Sequence, residues 1–109
     1  MMKNPTIEDW LWVEVMLIQA MIGGISRNFK EVLLSFEDEV WVIKVKLRAW
    51  SDEDVEEIED IEDEFSILLD GIKDKISDFS CGKVKSEITL EDGLASKLKD
   101  SERIIFRFK

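Results

Sequence analysis

The sequence predicts an α+β fold, a two-layer sandwich in which two helices cover one face of a four-stranded antiparallel sheet. Two stretches carry apolar residues at helical spacing, four shorter ones alternate apolar and polar residues, and the order is αββαββ. Strands that alternate in this way belong to antiparallel sheets with one solvated face, and helices on the other face complete two layers. With 45% apolar residues, residues 1–109 are expected to form a single domain.

The first helix is predicted over residues 5–22. Asn4 supplies an N-cap and Pro5 the first helical position, and the glycine pair at 23–24 ends the helix. Eleven of the thirteen residues over 10–22 are apolar. Such a helix is buried on more than one side or lends one side to a partner.

A β-hairpin is predicted next, with strands over 32–36 and 41–49 joined by a polar turn at 37–39. Two further alternating strands are predicted over 83–90 and 103–108. The apolar residues of all four strands are expected to face the helices. The basic residues expected on the solvated face are Lys44, Lys46, Arg48, Lys83, Lys85, Arg103, Arg107 and Lys109.

The second helix is predicted over about 51–79, because apolar residues recur there at steps of three and four. Ser51 and Asp54 resemble a capping box at its start. Gly71 is a weak point within it, since glycine is a poor helix former.

This helix carries the whole net charge of the protein. The chain totals −10, while residues 51–80 hold thirteen acids and two lysines, or −11. Ten of the thirteen residues over 52–64 are Asp or Glu. Like charges four apart on a helix each cost about 0.2–0.5 kcal/mol, and the macrodipole favours acids only in the first turn. Stability alone therefore does not explain the acidic run.

The helical register sets one row of this helix opposite its apolar face. We call this row the acidic ridge, and it is the predicted partner-binding site: Glu56, Asp60, Asp63, Ile67, Asp70 and Asp74. Ile67 is an apolar anchor within a charged rim, and the acids would attract a cationic protein. A solvated helix face is the alternative interpretation. A calcium site does not fit, because it needs its carboxylates in a loop.

Catalytic and cofactor chemistry lack their usual residues. The chain has no histidine and no tyrosine, so a catalytic triad and histidine-ligated metal sites are excluded. We therefore predict that the protein is not an enzyme and binds no metal or cofactor. A lone cysteine, Cys81, indicates a reducing compartment. The longest apolar stretch has thirteen residues, whereas a membrane span needs about 20, so we expect a cytoplasmic protein.

The basic sheet face raises nucleic acid as a second kind of partner, because phosphates bind Lys and Arg. RNA-reading sheets also present stacking aromatics. Trp41, Phe106 and Phe108 are expected to point inward here, which leaves only Trp50 on the solvated side. The sequence therefore does not favour nucleic acid.

In size, acidity and αββαββ order, the chain resembles bacterial toxin immunity proteins of the contact-dependent growth inhibition type. The resemblance implies a cytoplasmic protein without catalytic residues that binds a cationic toxin domain, frequently a nuclease. One alternative is a structural or adaptor subunit that oligomerises through its apolar first helix, where Trp12 is the aromatic expected to be exposed. A nucleic-acid-binding or nucleic-acid-mimicking regulator is the other.

Overall fold

The computed structural model describes residues 5–76, 83–90 and 102–107. The elements in chain order are α1 (Ile7–Met21), β1 (Phe29–Glu37), β2 (Val40–Leu47), α2 (Asp52–Gly71), β3 (Lys83–Leu90) and β4 (Glu102–Arg107). The protein is an α+β fold with two helices, as the sequence predicted.

Helix α1 begins at a capping box formed by Thr6 and Asp9. The Thr6 hydroxyl accepts the Asp9 amide at 3.1 Å, and the Asp9 carboxylate accepts the Thr6 amide at 3.2 Å. The helix therefore starts at Ile7 and not at Pro5, because this reciprocal pair satisfies two backbone donors. The predicted cap, Asn4, lies outside the described residues. Beyond the helix, Gly23 has φ +83°, a left-handed conformation that glycine adopts at little cost.

Strands β1 and β2 form an antiparallel hairpin in which Glu37 pairs with Val40. The two turn residues between them, Asp38 and Glu39, have φ 52° and 62°. Positive φ at both central positions is the geometry of a type I′ turn, whose twist matches that of the flanking strands.

The sheet is mixed, and the antiparallel sheet predicted from the sequence is wrong. Its spatial order is β3-β2-β1-β4. β4 runs antiparallel to β1, but β3 runs parallel to β2. The reason is α2, which lies between β2 and β3 in the chain and acts as the crossover that a parallel pair requires. The alternation in β3 reflects its position at an edge, where one face is half-buried and the other exposed.

The core lies between the helices and the sheet, around Trp41. Trp41 is fully buried. The Trp10 ring meets it edge-on with 5.0 Å between ring centroids, and Phe36 lies 4.7 Å away at a tilt. Aromatic pairs at such distances contribute about 0.5–1.5 kcal/mol beyond their burial. These contacts join α1 to the central hairpin.

The opposite face of the sheet is less solvated, and less basic, than predicted. Leu33, Ser35 and Val42 are buried there, on the face opposite their core-facing strand neighbours. Arg103 was expected on this face, but its guanidinium lies 5.3 Å from the centre of the Trp10 ring, on the helix side. The cause is a register shift in the β1–β4 pairing, because an extra residue in one strand changes which side chains share a face.

Helix α2 is shorter than predicted, since it ends at Gly71 instead of continuing to residue 79. The chain then continues in turns, within which Ile72 is half-buried and Ile76 is buried. The apolar residues at helical spacing therefore extend beyond the end of the helix itself. Residues 77–79 lie outside the described part of the chain.

Candidate functional site

The start of α2 is fixed by side-chain hydrogen bonds to the loop before β1. The Ser51 hydroxyl accepts the Asp54 amide at 3.3 Å, as an N-cap does. The Asp54 carboxylate accepts the Ser26 hydroxyl at 2.9 Å and the Asn28 amide group at 2.8 Å. Asp54 is buried. This acid therefore has a structural role, and it does not contribute to the charged surface of the helix.

Asn28 extends the same network to the end of β2. Its side-chain amide donates to the Ala49 carbonyl at 2.6 Å and accepts the Ala49 amide at 2.9 Å. Its own carbonyl accepts the Arg48 amide at 2.8 Å. The loop before β1, the end of β2 and the first turn of α2 are thus held together at one corner of the fold. This network fixes where the acidic helix begins.

The acidic ridge runs along the outside of α2. The buried side of the helix carries Ile58, Ile61, Phe65 and Leu69. The structure leaves the predicted site residues exposed: Glu56, Asp60, Asp63, Ile67, Asp70 and Asp74. The first five share the outer side of the helix, with Ile67 66% exposed. Asp74 follows the end of the helix, in a turn, so the helical register does not place it.

Cations do little to neutralise the ridge. Lys73 lies 3.9 Å from the Asp70 carboxylate, and both side chains are mostly exposed, so this ion pair contributes little. Within residues 5–76, 83–90 and 102–107, no basic side chain forms an ion pair with Glu56, Asp60 or Asp63. Their charge is open to a partner.

A second outer surface belongs to α1, which the sequence suggested as an oligomer interface without identifying its exposed residues beyond Trp12. We call it the apolar stripe; its residues, with their exposed fractions, are Ile7 (75%), Leu11 (58%), Val15 (46%), Ile18 (50%) and Ile22 (78%). Steps of four, four and three place the first four in one row along the helix, and Ile22 follows directly as its C-cap residue. Trp12, the aromatic expected to be exposed, is 36% exposed beside this row. The signal was present in the spacing but was hidden, because the buried positions of α1 are apolar too.

The basic side of the sheet offers a weaker surface. The Lys44 ammonium lies 3.0 Å from the Glu37 carboxylate, which also accepts the Ser35 hydroxyl at 2.7 Å. Lys85 lies 3.8 Å from Glu87. Carboxylates therefore offset part of the positive charge that a nucleic acid would need.

Neither a metal cluster nor a spanning helix occurs among the residues that the structure describes. No group of three or more acidic or cysteine side chains there is arranged to hold a metal ion. No helix in the same residues is long and apolar enough to cross a membrane.

Comparison with known proteins identifies one family. The family model described as MafI2 immunity protein matches residues 8–108. The match includes α2, all four strands, and all of α1 and of both outer surfaces except Ile7. No curated protein matches the chain.

Proposed function

Because the chain belongs to the MafI2 immunity protein family, we propose that it neutralises its cognate toxin in the cytoplasm by docking the acidic ridge on a cationic surface of that toxin. The family corrects the type of system to which the sequence resemblance pointed, from contact-dependent growth inhibition to Maf. An immunity protein acts on a cognate toxin, and such proteins are generally not catalysts, so binding is the activity to explain.

The exposed and unpaired acids of α2 carry this proposal. Their mutual repulsion costs stability, and the only acid of the run that the fold uses in a buried hydrogen-bond network is Asp54. A cationic partner would attract these acids, offset the repulsion between them and speed association. Ile67, exposed between carboxylates, would supply an apolar contact within the charged rim.

A nuclease is the toxin chemistry that suits such a surface best. Its substrate is a polyanion, so its active site must be basic. A row of carboxylates on a rigid helix would present similar charge to that site and compete with the substrate. The proposed mechanism is thus occlusion of a basic site by an acidic helix.

The test is charge reversal on the ridge, with the toxin domain that co-purifies with the tagged protein as the binding partner. The double variant Asp60→Lys/Asp63→Lys should lower the association rate roughly tenfold at low salt, and by less at high salt. Both side chains are exposed, so the fold should be intact or slightly stabilised because repulsion is relieved. Binding kinetics at two salt concentrations measure both effects.

The matched control is Asp38→Lys/Glu39→Lys. It changes the net charge equally, but at the exposed hairpin turn. If both double variants slowed association equally, net charge and not the ridge would be responsible. Unchanged kinetics for the ridge variant would remove α2 from the binding site.

A further inference from the structure

The apolar stripe of α1 is a large exposed surface that charge attraction at α2 does not explain. The exposed fractions of its five residues add up to about three fully exposed aliphatic residues. This corresponds to on the order of 600 Å², which is the upper end for the largest apolar patch on an ordinary monomer. A standard interface buries about 800 Å² on each partner. The stripe therefore amounts to most of one side of such an interface.

We propose that the apolar stripe is the hydrophobic centre of the toxin interface and that the acidic ridge is the charged rim beside it. This inference rests on the proposed function and names the matching chemistry of the toxin surface, an apolar patch bordered by Lys or Arg. It follows the usual anatomy of an interface, in which an apolar core is surrounded by a polar rim.

The two surfaces share the outside of one helical layer. Both helices bury one side in the same core against the sheet, through Val13 and Leu17 of α1 and Ile58 and Phe65 of α2. The stripe and the ridge lie away from these buried sides. The helices are also neighbours, since a Cβ added at Gly24, after α1, would lie 3.2 Å from Ile61 of α2. One partner can therefore cover both.

The charges around the apolar stripe favour the toxin over a second copy of this chain as the partner that covers it. An isologous dimer through the stripe would bring the same surfaces of two molecules together. Each molecule would bring an acidic helix, and residues 51–80 carry a net charge of −11. α1 itself contains acids and no Lys or Arg over residues 7–21. Two copies would thus oppose acid with acid, whereas a partner with basic residues around an apolar patch complements both surfaces.

The test is Leu11→Gln, which removes apolar surface from the stripe without changing charge. Leu90→Gln is the matched control, because Leu90 is exposed to a similar extent, 48% against 58%, but lies on β3. Binding to the toxin domain that co-purifies with the tagged protein is measured by surface kinetics. We expect Leu11→Gln to raise the dissociation rate about tenfold with little change in association rate or salt dependence, and Leu90→Gln to leave both rates unchanged.

The outcomes separate this inference from the proposed function. If Leu11→Gln binds like the unmodified protein while reversal of Asp60 and Asp63 slows association, the stripe is not in the interface and the ridge proposal stands. If only Leu11→Gln weakens binding, the ridge proposal fails and the stripe alone is the site. Sedimentation of the isolated chain at micromolar concentration should give a monomer; a dimer that Leu11→Gln dissociates would overturn the assignment in favour of a second copy.

Discussion

Two aspartates of α2 should respond in opposite ways to the same substitution. Asp54 is buried and accepts hydrogen bonds from Ser26 and Asn28, whereas Asp60 is exposed on the same helix. A hydrogen bond to a charged group contributes about 1.5–3 kcal/mol, and an acid in the first helical turn adds about 0.3–1 kcal/mol. Because Ser26 and Asn28 are half-buried, water can replace part of the lost hydrogen-bond energy, so Asp54→Ala should cost about 2–4 kcal/mol. Asp60→Ala should change stability by less than about 0.5 kcal/mol or increase it, because alanine is a good helix former and repulsion is relieved.

Urea unfolding followed by tryptophan fluorescence and circular dichroism would measure both variants. The midpoint for Asp54→Ala should fall while the slope stays unchanged, since the same surface is exposed on unfolding. In a thermal scan, a loss of about 2 kcal/mol corresponds to roughly 8–16 °C for a domain of about this size. Equal effects for the two alanine variants would refute the structural role assigned to Asp54.

Backbone conformation supports two further predictions. Gly71→Ala should stabilise the protein by about 0.5–1 kcal/mol, because Gly71 is helical with open space around its Cα. Gly23→Ala should destabilise the protein by about 1 kcal/mol, because Gly23 has φ +83° in equally open space. Paired thermal melts test both variants, and a change of the same sign in the two would contradict this reasoning. Glu39→Gly should stabilise the hairpin by about 0.5–1 kcal/mol, since Glu39 has φ 62°; a lower urea midpoint would show that the Glu39 side chain contributes more than its backbone costs.

Local patterns predicted the α+β class but not the direction of β3. Apolar spacing reports which side of an element is covered, and it identified the covered side of α2 and the core-facing side of the hairpin correctly. Strand direction depends on the connection, and the helix between β2 and β3 returns the chain parallel to β2. The sheet face on which Arg103 lies could not be predicted either. It depends on a register shift between β1 and β4, which the sequence of β4 alone does not reveal.

The candidate site could likewise be predicted only in part. The outward row of α2 could be predicted because acids and apolar residues separate cleanly on that helix, and the exposure of Ile67 follows from its position. On α1, the buried Leu17 and the exposed Ile18 are both aliphatic, so composition does not distinguish the covered side from the open one. The sequence assigned Asp54 to the start of α2 with Ser51, but its hydrogen bonds to Ser26 and Asn28 became visible only in the structure.

The position of β3 also determines how the sheet meets other molecules. β3 occupies an outer edge, and an edge strand offers unpaired backbone groups on which another chain can add a strand. Its exposed face carries Lys83, Lys85 and Glu87, and charged side chains on an edge strand discourage such addition and the aggregation that follows from it. The charges on β3 therefore discourage strand addition at this edge of the sheet.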